Sequence, residues 1–163
     1  MKLIKFSLAV VLAFSVVSCS VDSPEAAPSD LNLKITTVKT KPIEAETLKL
    51  INDYRTSKGL NTLGSMTLIK SVAETHTEYM VQLDEVNHDN FYQRSSYLKE
   101  NAGAIKVSEN VAYGYTSSES LVNAWINSDS HRATIEGDFN YFEISAEQNS
   151  EGKWYYTNMF IKK

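Results

Sequence analysis

Apolar residues first run together at the N-terminus, then recur at helical spacing, and finally alternate every second position. The opening run spans Phe6 to Val17 and is interrupted only by two serines. From Glu44 to Lys58, Leu48, Ile51 and Tyr54 fall on one helical face, with Leu50 beside them. Gly59 then supplies a left-handed stop. A second helix is predicted over Thr67–Asp84, with Leu68, Val72, Tyr79 and Leu83 as its apolar stripe. Ile69, Ala73, His76 and Met80 flank that stripe. Thr116-Ser117-Ser118-Glu119 reads as a capping box that opens a third helix carrying Leu121, Val122, Trp125 and Ile126 inward. A short helix through His131–Ile135 would be capped by Ser128, Asp129 or Ser130. The period then falls to two. Phe142, Ile144 and Ala146 alternate with polar residues, Asn149–Gly152 makes a turn, and Lys153–Ile161 returns as the second arm of a hairpin. A further strand is predicted over Val107–Tyr113. Helices before and between antiparallel strands define an α+β domain with helices packed on a sheet.

Composition changes this picture mainly at the N-terminus. The apolar run is too short for a membrane span and follows Lys2 and Lys5, as a signal peptide does. It ends at Val16-Val17-Ser18-Cys19, a lipobox-like phrase, and Cys19 is the only cysteine in the chain. No intramolecular disulfide can form. The expected organisation is a lipoprotein signal peptide over 1–18, an extended tether over 19–42 and one domain over 43–163. Within the tether, Leu31, Leu33 and Ile35 alternate with polar residues, so a short strand is an alternative to a stalk. The expected location is the cell envelope, with acyl chains on Cys19 as membrane anchor, in the outer membrane if the source is Gram-negative. Formal charge is −4, and loss of Lys2 and Lys5 with the signal peptide makes it more negative by two. An acidic chain without basic clusters argues against nucleic acid as a partner.

The candidate chemistry lies in three phrases. His88 sits in Asn87-His88-Asp89-Asn90-Phe91, Glu109 in Ser108-Glu109-Asn110-Val111-Ala112-Tyr113-Gly114, and His131 in Trp125-Ile126-Asn127-Ser128-Asp129-Ser130-His131-Arg132. Two imidazoles and a carboxylate, once gathered, make a polar cleft for a divalent cation or a polar ligand group.

These phrases, in this order, resemble the bacterial branch of the CAP superfamily (SCP domains: cysteine-rich secretory proteins, antigen 5, pathogenesis-related proteins). Asn52-Asp53-Tyr54-Arg55 with Lys58-Gly59-Leu60 resembles the family's opening helix and its exit. Ala73-Glu74-Thr75-His76 resembles its second helix, and Ala124–Ser128 with His131-Arg132-Ala133 its tryptophan–serine–histidine–arginine phrase. The resemblance covers Glu44–Lys163 and implies the α-β-α sandwich of that superfamily. Eukaryotic members carry a tetrad of two histidines and two glutamates. His88 and Glu109 match two of its positions, Ser128 stands where the second glutamate would be, and the phrase holding the second histidine is missing. His131 is expected to face the same cleft.

Four readings of the cleft follow. Family members that bind zinc at a histidine pair suggest His88 and His131 as zinc ligands, with Glu109 as third ligand or orienting acceptor. No His-Glu-x-x-His helix supports that reading. Ser128 and Ser130 near His131 supply the inventory of a hydrolase, but no Gly-x-Ser-x-Gly elbow is present. The resemblance favours a binding role, for a small hydrophobic, lipid or sterol-like ligand or a protein partner. A structural envelope or adhesion protein is the third alternative. Arg132 is a candidate for an anionic group or for pairing with Glu136. His76 reads as a partly buried, hydrogen-bonded core histidine.

Overall fold

The computed structural model of the protein describes residues 39–163. The apolar run, Cys19 and the Leu31–Ile35 alternation lie outside the described residues. The element order is α1 (Pro42–Ser57), α2 (Thr67–Leu83), α3 (Phe91–Ala102), β1 (Lys106–Tyr113), α4 (Ser118–Asn127), α5 (Asp129–Ile135), β2 (Tyr141–Gln148) and β3 (Trp154–Lys162). The three strands form an antiparallel sheet in the order β1-β3-β2.

Alternation along the strands sends side chains to two different cores. Phe142, Ile144 and Ala146 of β2 join Tyr156 and Phe160 of β3 on one face, against Ile51 of α1, Leu121, Val122 and Trp125 of α4, and Ile135 of α5. Met159 and Ile161 of β3 face the other way, against Ile69, Val72 and Ala73 of α2 and Leu98 and Ala102 of α3. Each fully buried large apolar side chain contributes about 1.5–3 kcal/mol. The architecture is the α-β-α sandwich that the resemblance implies, within the α+β class that the sequence pattern predicts.

Two local expectations need correction, and one helix, α3, was not expected from the sequence. The α2 face toward the sheet is Ile69, Val72, Ala73, His76 and Met80, while Leu83 is half exposed. The helix is rotated because Lys70, Ser71 and Thr77 are buried too, each with a polar partner. The α4 cap is Ser117 rather than Thr116, its hydroxyl accepting from the Ser120 amide at 3.2 Å. Helix α3 carries no plain apolar stripe, since its inward face includes Arg94 and Ser95 alongside Leu98 and Ala102.

The two sheet edges are treated differently. The outer edge of β2 is closed by its neighbours. Gly64 bridges Tyr141, donating to Asn140 O and accepting from the Phe142 amide. Lys70 Nζ donates to Ile144 O at 2.8 Å, the Ala146 amide donates to Glu44 Oε1 at 2.8 Å, and Lys41 Nζ donates to Ala146 O at 2.9 Å. A buried Lys70–Glu44 ion pair at 2.6 Å fixes this seal between α1 and α2. Strand β1 forms the opposite edge.

Candidate functional site

Glu109 organises one side of the site. It lies on β1 opposite Met159, its side chain 1% exposed, on the α2–α3 face of the sheet. A buried carboxylate needs charged partners. Arg94 of α3 provides them, with Nε donating to Oε2 and Nη2 to Oε1, both at 2.8 Å. Arg94 Nη1 also donates to Asp89 O at 2.5 Å, tying the α2–α3 loop to the helix that follows. His88 Nδ1 donates to Glu109 Oε1 at 2.8 Å. His76 of α2 lies 3.9 Å from the same oxygen and donates from Nε2 to Asn87 O at 2.9 Å. Burial pushes Glu109 upward, but the His88 hydrogen bond and the Arg94 guanidinium outweigh it and hold the carboxyl below its ordinary range. Burial first, and the Arg94 charge next, depress His76, which is therefore neutral at pH 7.

The facing side comes from α4 and α5. His131 Nδ1 is 2.7 Å from Ser128 Oγ. Ser128 occupies the N-cap position of α5, yet its hydroxyl makes no cap bond and serves His131 instead. Trp125 stacks beside His131 at 6.5 Å between ring centroids, and its indole N–H approaches Val111 O at 3.4 Å. Asn110 Nδ2 donates to His131 O at 3.1 Å, holding α5 to β1. Burial, and then the neighbouring His88, lower the His131 pKa.

Between these walls lies an open cleft of about 440 Å³. His88 and His131 both line it, with Ser128, Trp125, Val111 and Ala112 among the other lining residues. A smaller recess of about 240 Å³ continues along β1 past His88, bounded by Phe91, Val107, Ser108 and Glu109.

The sequence candidates are therefore placed unevenly. His88, His131 and Ser128 share the cleft. Glu109 is not among the residues lining the cleft; it bounds the adjoining recess, engaged by Arg94 and His88. Arg132 lies outside the cleft lining, donating to Ile126 O at 2.8 Å and pairing with Asp129 rather than Glu136. Glu136 instead accepts from Tyr54 Oη at 2.6 Å. Among the described residues, no group of three His, Cys, Asp or Glu side chains is arranged to hold a metal ion. Both Glu109 oxygens are already hydrogen-bonded to a guanidinium, which removes the anionic ligand from the set. Arg94 was absent from the sequence candidates. The only signal for it is a charged residue on the inward side of a helix whose pattern is itself weak.

The fold and site define a class of domain: an α-β-α sandwich with a cleft lined by two histidines beside an edge strand. The profile of the CAP family, described as the cysteine-rich secretory protein family, matches residues 48–160, and the chain belongs to that family. An outer surface protein from Borrelia burgdorferi has a similar structure, with a TM-score of 0.69 and 21% identity over 77% of this chain and 96% of that one. An extracellular protein containing an SCP domain from Bacillus anthracis str. Ames gives a TM-score of 0.65 and 20% identity over 78% of this chain and 45% of that one. In sequence, the chain is 28% identical to the Bacillus subtilis (strain 168) protein named "Uncharacterized membrane protein YlbC", over 86% of this chain and 39% of that one. The chain thus spans about two fifths of that relative's length. No helix among the described residues is long and apolar enough to cross a membrane.

Proposed function

We propose that this protein is a binding module of the cell envelope, anchored through lipidated Cys19, that captures its ligand in the cleft between His88 and His131. The supporting observation is the cleft itself. Its volume of about 440 Å³ suits a ligand group, its walls are largely apolar, and its two imidazoles are each oriented by a hydrogen bond. Apolar walls with two oriented polar groups suit a ligand with an apolar body and one hydrogen-bonding function, such as a small hydrophobic or lipid molecule or a segment of a protein. Filling the cleft tests this. Ala124→Trp on its α4 wall should abolish uptake of a fluorescent fatty-acid analogue or a protein ligand while leaving the melting temperature within a few degrees of wild type. Retained uptake in a folded variant would place binding elsewhere. Cys19→Ser should move the protein from the membrane fraction to the soluble one.

One observation favours a second reading, a serine hydrolase. Ser128 Oγ and the neutral His131 are in contact at 2.7 Å, the geometry of a nucleophile beside its base. No carboxylate among the described residues hydrogen-bonds His131, because Glu109 is engaged on the opposite wall. Labelling by a fluorophosphonate that is lost in Ser128→Ala would establish the hydrolase, and absence of labelling removes it.

A further inference from the structure

The registers of the three strands show which way each backbone group of the sheet points. In an antiparallel pair, hydrogen-bonded and non-hydrogen-bonded residue pairs alternate. The Gly114 amide donates to Trp154 O at 2.8 Å, in register with the pairs Ala112–Tyr156, Asn110–Asn158 and Ser108–Phe160. These even-numbered residues of β1 therefore spend their backbone groups on β3. Val107, Glu109, Val111 and Tyr113 present theirs to the outer edge. Two observations agree. Val111 O meets the Trp125 indole from outside the sheet. Glu109 as a residue is half-buried although its side chain is only 1% exposed, so its exposed surface is main chain.

This edge contrasts with that of β2, where Gly64, Lys70, Glu44 and Lys41 occupy the outward groups. Proteins commonly block sheet edges with charged side chains or covering segments. Here one edge is blocked, while among the described residues the other is met only by the Trp125 indole on Val111 O and otherwise lies at the floor of a groove. The 440 Å³ cleft and the 240 Å³ recess adjoin along β1, with His88 lining both. Together they follow the strand from Val107 to Tyr113, about 20 Å at strand rise.

We propose that β1 is a docking edge for an extended polypeptide segment of a partner protein, which adds to the sheet as a fourth strand. This rests on the cleft being the binding site and names the class of ligand it takes. Strand addition combines backbone hydrogen bonds with pockets for alternate side chains, and both are present here. Alternate side chains of the added strand face Trp125, Ser128 and His131 on one side and Val86 and His88 on the other. The edge is recessed between α4–α5 and the α2–α3 loop, so a single strand fits where the sheet of a second copy would meet the walls. The segment carries apolar residues between basic ones. The walls contribute Val86, Val111, Ala112 and Trp125, while Glu85 and Asp89, next in sequence to lining residues, are exposed and acidic.

The test uses the purified full chain and acetylated, amidated peptides Lys-Thr-X-Thr-X-Thr-Lys, with X as Val, Leu or Phe. Amide NMR and hydrogen exchange read the result. At least one peptide should bind and protect the Val107, Glu109 and Val111 amides, with little change at Ser108, Asn110 and Ala112. N-methylation of one alternate set of peptide amides should weaken binding at least tenfold, and methylation of the other set should not. Replacing the two lysines by glutamate should weaken it as well. The proposal is overturned if no peptide protects those amides up to about 5 mM, or if both methylation patterns act alike. It is also overturned if the same amides are protected without peptide in a dimer seen by sedimentation, which would make a second copy the occupant. If peptides fail while an apolar probe is still taken up and displaced by Ala124→Trp, strand addition fails and the cleft stands. If both fail, the cleft reading fails with it.

Discussion

Arg94→Met isolates the interaction that holds the α2–α3 wall of the cleft. Arg94 and Glu109 are both almost fully buried, 2% and 1% exposed by side chain, so solvent screens the pair little. Two charge-assisted hydrogen bonds at 2.8 Å are lost, at about 1.5–3 kcal/mol each. That sum agrees with the roughly 3–5 kcal/mol typical of stranding one member of a buried pair. With a urea m-value of about 1–3 kcal/mol per molar, the midpoint should fall by about 2 M. The loss should depend on pH with a defined sign. In the wild type the Glu109 carboxyl is held below its ordinary value, so its stabilising contribution is present above the unfolded pKa of about 4.3 and fades as pH falls through the folded value. Without Arg94, burial dominates and raises the same carboxyl, and acid then relieves the variant by protonating it. The gap between wild type and variant should be widest near pH 7 and narrow toward pH 4. Arg94→Met/Glu109→Gln, which removes both charges, should recover most of the loss. Urea melts at both pH values measure all three quantities. A loss under about 1 kcal/mol, or one equal at pH 4 and pH 7, would refute the assignment of Arg94 as the counter-charge.

His76 is depressed by burial, so the unfolded chain binds its proton more readily and stability falls as pH drops below about 6.5. His76→Gln should flatten the melting temperature between pH 7 and pH 5, and an unchanged slope would assign the dependence to other groups such as His131. Lys70→Met strands Glu44 inside the β2 seal and should lower the melting temperature by about 10 °C or more, with recovery in Glu44→Gln/Lys70→Met. Gly137→Ala would drive a Cβ into Cε2 of the fully buried Phe139, so a loss of about 1–3 kcal/mol is expected in denaturant melts. Calorimetric zinc titration should show no stoichiometric micromolar binding; binding lost in His88→Ala/His131→Ala would restore the metal reading.

The elements built on apolar period and glycine stops were legible in the chain. Gly59 has the expected positive φ of 72°, and the hairpin closes at Asn149–Gly152 with Gly152 at 79°. What escaped the pattern was polar burial. Lys70, Ser71 and Thr77 rotate the inward face of α2, and Arg94 sits where an apolar residue would have announced α3. A buried charge is identifiable only with its partner, and Glu109 is fifteen residues from Arg94 in sequence. The same reason explains the site. Glu109 stands out in sequence as a ligand candidate, but the guanidinium that occupies it comes from a helix the pattern hides.

The side chains around β1 hold the cleft open in the absence of ligand. One wall reaches β1 through His88 and Arg94 on Glu109, and the same arginine fixes Asp89 O while His76 fixes Asn87 O. The other reaches β1 through Asn110 on His131 O and Trp125 on Val111 O. Both walls are thus fastened to the strand between them, and no hydrogen bond among the described residues joins His88 to His131. An incoming strand would meet preset walls and outward backbone groups, so little of its binding free energy would go into ordering the protein. Charge has the opposite effect. Burial and the neighbouring His88 hold the His131 pKa low, and a basic peptide would add a further positive group beside it. Capture should therefore weaken as acid protonates His131, at a pH below the ordinary imidazole value, whereas capture governed by apolar contact alone would be unaffected over that range.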